Sequence, residues 1–234
     1  MSMQKRYLRK FNAAILAIIM LFGSVTSAYA AEDSEVYEDE SVKIETQKIN
    51  DTETIVTYDF VDSDEDDFIL HIYGIGTENY YSKTYDYEGN LLNEVIKDED
   101  KFIAYNADGE ILAETTGLEN ENVESQIMPM YTWTTEPGPV SGSSFINDFS
   151  ISTIISILSG DIFSITGGVV QPESLLTIAQ NAINAYTNRI FYFGFAQYGW
   201  DYGFSIVRVE LDFYAFSNYT GFLGSYDKII PNHG

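Results

Sequence analysis

Along residues 54–115 apolar side chains recur at alternate positions. Val56, Tyr58 and Phe60 alternate with Thr57 and Asp59, and Phe68, Leu70 and Ile72 repeat the pattern, which is the signature of half-buried strands. Two stretches then echo one another, YDYEGNLL at 85–92 and YNADGEIL at 105–112. In each, an Asp or Asn precedes a glycine that tolerates positive φ, the chemistry of a hairpin turn. This region reads as an antiparallel β-meander.

The period changes after residue 145. FSISTIISILSGDIFSITGGVV (149–170) is apolar with small polar residues, and Pro172 with Glu173 opens a further helix. Leu175, Ala179, Ala182 and Tyr186 share one face of that helix, flanked by Leu176 and Ile183. Strands return after Arg189, most clearly where Val207, Val209, Leu211 and Phe213 alternate with Arg208, Glu210, Asp212 and Tyr214. The turn SNYTG (217–221) and FLGSY (222–226) add another strand. The predicted fold class is α+β, with an N-terminal antiparallel β-meander followed by two apolar helices packed on a three-stranded antiparallel sheet.

Charge and composition divide the chain further. Residues 31–127 carry 28 acidic against 5 basic side chains, and residues 128–234 carry 8 against 3. Such an acidic chain repels phosphate backbones, so nucleic acid is excluded as a partner. Lys5, Arg6, Arg9 and Lys10 precede the apolar run Ala13–Phe22 and then SVTSAYA. This pattern predicts a secretory signal peptide over residues 1–30, because the run is shorter than the ~20 residues a membrane span requires. Cysteine is absent, which rules out disulfides and thiol chemistry and fits export from a Gram-positive bacterium. The expected organisation is a signal peptide (1–30), an acidic disordered tail (31–50), a β-hairpin domain and candidate pro-region (51–118), a Pro/Gly/Ser linker (119–144) and an α+β C-terminal domain (145–234).

Catalytic and metal-binding patterns are weak. Asp62, Asp64 and Asp66 sit at alternate positions, but Asp67 and Tyr73 stand where a calcium loop needs its glycine and its bidentate acid. The stretch reads as an acidic turn. The chain has two histidines, His71 within a strand and His233 next to the C-terminal residue, and no spacing supports a triad. The sequence therefore predicts neither catalytic residues, cofactor nor metal.

The order of the parts resembles the large, geobacillin-type secreted bacteriocins. A signal peptide ending SAYA is followed by an acidic β-rich segment through about Thr116, the aromatic linker MPMYTWTTEPGP and a helical segment rich in small residues. The resemblance implies killing of related bacteria through the membrane, with the N-terminal part removed. The mildly acidic C-terminal part departs from the cationic character of membrane-active bacteriocins, which counts against direct binding to anionic lipid. The leading expectation is a secreted antimicrobial or toxin-like protein whose partner is the bacterial membrane or cell envelope. Ile154, Ile155, Leu158, Ile162 and Phe163 would be its membrane contacts. The alternative is a non-catalytic cell-surface or cell-wall binding protein that stacks Tyr80, Tyr81, Tyr85, Tyr87, Trp133 and Trp200 on sugar rings. A third reading, a hydrolase, requires acids gathered around His71.

Overall fold

The computed structural model describes residues 34–61, 63, 65–99, 101–116, 119–120, 133–135, 139–166, 171–201 and 204–232. At 119–120, 133–135, 139, 196–201, 204–207 and 230–232 the description covers the backbone alone. The predicted signal peptide and residues 31–33 lie outside the described residues.

In chain order the elements are β1 (Ser34–Glu38), β2 (Val42–Asn50), β3 (Glu53–Phe60), β4 (Phe68–Tyr73), β5 (Tyr81–Asp86), β6 (Leu91–Asp98), β7 (Lys101–Asn106) and β8 (Ile111–Thr115). There follow β9 (Glu119–Asn120), β10 (Trp133–Thr135), β11 (Pro139–Ile146), α1 (Ile151–Thr166), α2 (Pro172–Asn184), β12 (Arg189–Asp201), β13 (Phe204–Tyr214) and β14 (Phe222–Asn232). All strands belong to one sheet, ordered β1 to β8 and then β11 to β14, with β9 pairing β11 and β10 pairing β12. Every pairing is antiparallel.

This corrects the predicted fold class. The helices do not cover a separate three-stranded sheet; they are inserted between two neighbouring strands, β11 and β12, of a single large meander. Residues 34–50, expected to be a disordered tail, are β1 and β2, with Val42 and Ile44 buried. Part of the expected linker is β11, which joins β8 to β12 through Ser144↔Thr115 and Phe145↔Arg189. The sheet thus runs without interruption from the acidic half into the nearly neutral half.

Local chemistry sets the hairpins. Asp86 Oδ1 accepts from the backbone N–H of Glu88 and Asn90, and Asn106 Oδ1 accepts likewise from Asp108 and Glu110. Gly89 and Gly109 close these turns at φ 85° and 82°, a conformation that costs other residues about 1–2 kcal/mol. Register shifts beside both turns, at Thr84/Tyr85 and Ala104/Tyr105, mark the accompanying bulges.

The inner face of the sheet is filled by the helices. From Thr153 to Phe163 every residue of α1 is buried, as expected for a helix that is apolar all round. Gly160 lies against the Phe102 ring of β7, while α2 packs on β14 through Asn181 Nδ2, which donates to the Leu223 carbonyl at 2.6 Å. From the other end of the strand order, Tyr58 of β3 donates its hydroxyl to the Pro172 carbonyl of α2 at 3.3 Å. Laid flat, β3 and β14 would be about 43 Å apart, nine inter-strand steps of ~4.8 Å. Both touch one helix, so the sheet curls around the pair.

A methyl group added at Gly160 would lie 2.7 Å from Phe102 Cγ. Gly160→Ala should therefore destabilise the protein by about 1–3 kcal/mol in urea unfolding, although alanine favours an isolated helix by about 1 kcal/mol. A gain in stability would show that α1 is not pressed against β7.

Candidate functional site

With the inner face occupied, exposed chemistry lies on the outer face and the connecting turns. Alternation along β12 sends Ile190, Tyr192 and Gly194 inward and Phe191, Phe193 and Phe195 outward, and β13 likewise turns Asp212 and Tyr214 out. The register sets Phe191 opposite Tyr214, and Tyr214 opposite Phe222. Tyr219, in the β13–β14 turn, folds back over this face. Its ring centroid lies 5.6 Å from that of Phe193 and 5.7 Å from that of Tyr214. Phe193 meets Phe195 at 5.5 Å, and Tyr214 meets Phe222 at 5.9 Å, both edge to face, the geometry that aromatic quadrupoles favour. Phe222 remains 60% exposed. Where this face reaches the end of α2 there is a depression of about 390 Å³, lined among others by Tyr186, Arg189, Phe191 and Phe216.

A second outward group sits on β3 and β4. His71 Nε2 is 2.7 Å from Glu53 Oε1, and Nδ1 is 2.6 Å from Tyr73 Oη. A neutral imidazole satisfies both, donating to Glu53 and accepting from Tyr73. Burial holds the His71 pKa below its ordinary value, opposed by the Glu53 hydrogen bond. Burial likewise raises the Tyr73 pKa, reinforced by the charges of Tyr85, Tyr81 and Glu53, so this hydroxyl keeps its proton and is a poor nucleophile. Tyr73 stacks on Tyr81 at 4.4 Å. One acid, Glu53, therefore contacts His71, on an open strand face.

Among the described residues one carboxyl is buried, that of Asp161, in the middle of α1 and 2% exposed. Ser144 Oγ donates to one of its oxygens, and Tyr192 Oη donates to the other at 3.5 Å. Burial raises its pKa to about 7, against the lowering effect of the Ser144 and Tyr192 hydrogen bonds. Sealed from solvent, this group serves the fold. Among the described residues no cluster of three metal-ligating side chains occurs.

The residues singled out from sequence are scattered. Ile154, Ile155, Leu158, Ile162 and Phe163 are core residues, not surface groups, because α1 is covered on all sides. Among the described residues no helix is long and apolar enough to cross a membrane. Tyr80 is buried and stacked on Phe163 at 4.2 Å. Tyr85 and Tyr87 are half-buried on and just after β5, several strands away from Trp133 and Trp200. The strands of those tryptophans are neighbours, with Trp133 opposite Gly199, while their side chains lie outside the described residues. Asp62 and Asp64 also lie outside them. The outer ring cluster was not singled out from sequence, although the alternation in IFYFGF contained its β12 rings; the pattern identifies a strand without saying which face meets solvent.

No protein-family model, curated protein or solved structure matches the chain.

Asp161 makes stability depend on pH in a defined direction. The folded chain holds this proton up to about pH 7, whereas the ordinary value is 3.8. The contribution to folding is thus complete below the lower value and lost as pH rises through the upper one. Asp161→Asn should match the parent at pH 4 and exceed it above pH 7, by on the order of 4 kcal/mol at most. Chemical denaturation across this range measures the gap; a gap that does not widen with pH would contradict a raised Asp161 pKa.

Proposed function

We propose that the protein is an exported, non-catalytic binding protein that holds glycan of the bacterial cell envelope on the outer face of β12–β14. The observation that carries this reading is the contiguous ring cluster Phe193, Tyr219, Tyr214 and Phe222 at the surface. Rings of this kind stack on the apolar faces of sugars, and those fixed on paired strands lose little side-chain freedom on binding. The formal charge of −24 weighs against nucleic acid and anionic lipid as partners. The two titratable groupings also favour binding over catalysis, since Tyr73 retains its proton and Asp161 is shut away from solvent.

The bacteriocin-like reading draws its membrane contacts from α1. A chain cut between residues 124 and 144 would keep α1 and lose β5–β8, which pack against it. One continuous sheet supports joint action of both halves, and hence the binding reading.

Purified Gram-positive cell walls should retain the intact chain at low salt and at about 1 M salt, where surface charge attraction is screened out. Phe222→Ala removes an exposed ring without opening a cavity and should weaken retention about five- to tenfold. Release by salt, or full retention by the variant, would count against stacking on this face.

A further inference from the structure

We propose that the depression between the end of α2 and the β13–β14 turn is a subsite for a sugar bearing one carboxylate, with Arg189 as the anion anchor and Tyr186 as the stacking ring. This inference rests on the glycan-binding reading and specifies its ligand.

The sequence holds 36 acidic and 12 basic residues. Among the described residues Lys43, Lys48 and Lys83 pair with carboxylates while Lys97, Lys101 and Lys228 do not, and of the two arginines Arg208 pairs with Glu210 and Asp227. Arg189 is half-buried, and among the described residues it has no carboxylate partner. Instead its Nε donates to Ser143 Oγ at 3.1 Å, and its guanidinium carbon lies 5.6 Å from the Phe191 ring centroid. These contacts fix the plane of the guanidinium and use one of its five N–H groups, leaving a fork whose geometry matches a carboxylate. A ligand with a single negative charge suits the site, because the field of the whole chain opposes polyanions.

Tyr186 supplies an independent observation. It ends α2 in the left-handed region at φ 50°. Its N–H donates to the Ile183 carbonyl at 3.0 Å, and that of Thr187 to the Ala182 carbonyl at 3.3 Å. This is the helix stop in which glycine is the least strained occupant. A tyrosine there is strained, and its side chain, 91% exposed, adds nothing to the core. Strain without a structural return points to function. Phe216, 58% exposed, lines the same depression, so two accessible rings accompany the cation. The volume of about 390 Å³ lies within the range of small-molecule sites.

The test is calorimetric titration of the full chain with N-acetylmuramic acid and with N-acetylglucosamine, which share a ring and differ in the lactyl carboxylate. The acid should bind about tenfold more tightly, the worth of one charge-assisted hydrogen-bonded pair. Arg189→Gln should abolish that difference and Arg189→Lys should restore part of it. Tyr186→Gly should weaken both sugars at least fivefold without lowering the unfolding midpoint. Equal affinity for the two sugars, an unchanged preference in Arg189→Gln, or no binding of either sugar overturns the subsite. Cell-wall retention that depends on Phe222 can persist in each of those cases, so failure of the subsite and failure of the glycan-binding reading are told apart.

Discussion

The structure depends on one constraint, the need to cover α1 on every side. A helix whose apolar residues run all round its circumference cannot lie on a flat sheet with one face wet. Here Ile154, Ile155, Ile157, Leu158 and Ile162 point in different directions and are all fully buried. Burying each such side chain is worth about 1.5–3 kcal/mol, so leaving one flank open would forfeit several of these contributions. The sheet meets this need by curling, and curling requires many strands in one sheet. Hence β5–β8 from the acidic half and β11–β14 from the neutral half share a single core.

Strands from both flanks of that sheet reach α2, β3 through Tyr58 and β14 through Leu223. Glu173 raises the pKa of Tyr37 on β1, where the Asp39 hydrogen bond is the larger cause. It also raises those of Tyr58 on β3 and Tyr226 on β14, where burial dominates. One carboxylate thus acts on tyrosines from both flanks of the sheet. The edges that remain are defended. The five residues of β1 are all exposed and include Glu35 and Glu38, and β14 carries Pro231 next to its last residue. Charged and proline-bearing edges of this kind discourage pairing with another sheet.

Local periodicity was legible in the sequence and long-range pairing was not. Val56, Tyr58, Phe60, Phe68, Leu70 and Ile72 are the buried positions of β3 and β4, and the turns at Gly89 and Gly109 fall where their Asp and Asn neighbours imply. The reading failed where burial called for small residues. In β11, Ser141, Gly142, Ser143 and Ser144 show no apolar alternation, yet all but Gly142 are buried. The reason is nonlocal: a methyl group on Gly142 would come within 2.2 Å of Tyr192 Oη, and Ser144 is needed beside Asp161. In β1 and β2 the cause was different. Acidic residues on the outer face concealed the inward pair Val42 and Ile44. Tyr186 fits the apolar period of α2 in sequence, yet the helix stops at Asn184 and Tyr186 turns out to solvent in the left-handed region, 91% exposed; Arg189 left no periodic signal at all.

The same constraint determines where function can reside. A curled sheet with an empty interior could take a ligand inside, as barrels do, but here the helices occupy that space. Binding is therefore confined to the outer face and to the ends of the elements. The outer face of β3–β5 carries the Glu53–His71–Tyr73 group, whose polar atoms already pair with one another, whereas that of β12–β14 combines the ring cluster with the Arg189 guanidinium, which has no carboxylate partner among the described residues. Both α2 and β12 are anchored in the core, through Leu175 and Ile178 and through Ile190 and Tyr192. Tyr186 and Arg189 lie at the ends of these two elements. Their separation is consequently held by the buried layer beneath them, which is the pre-organisation that a small, weakly interacting ligand requires.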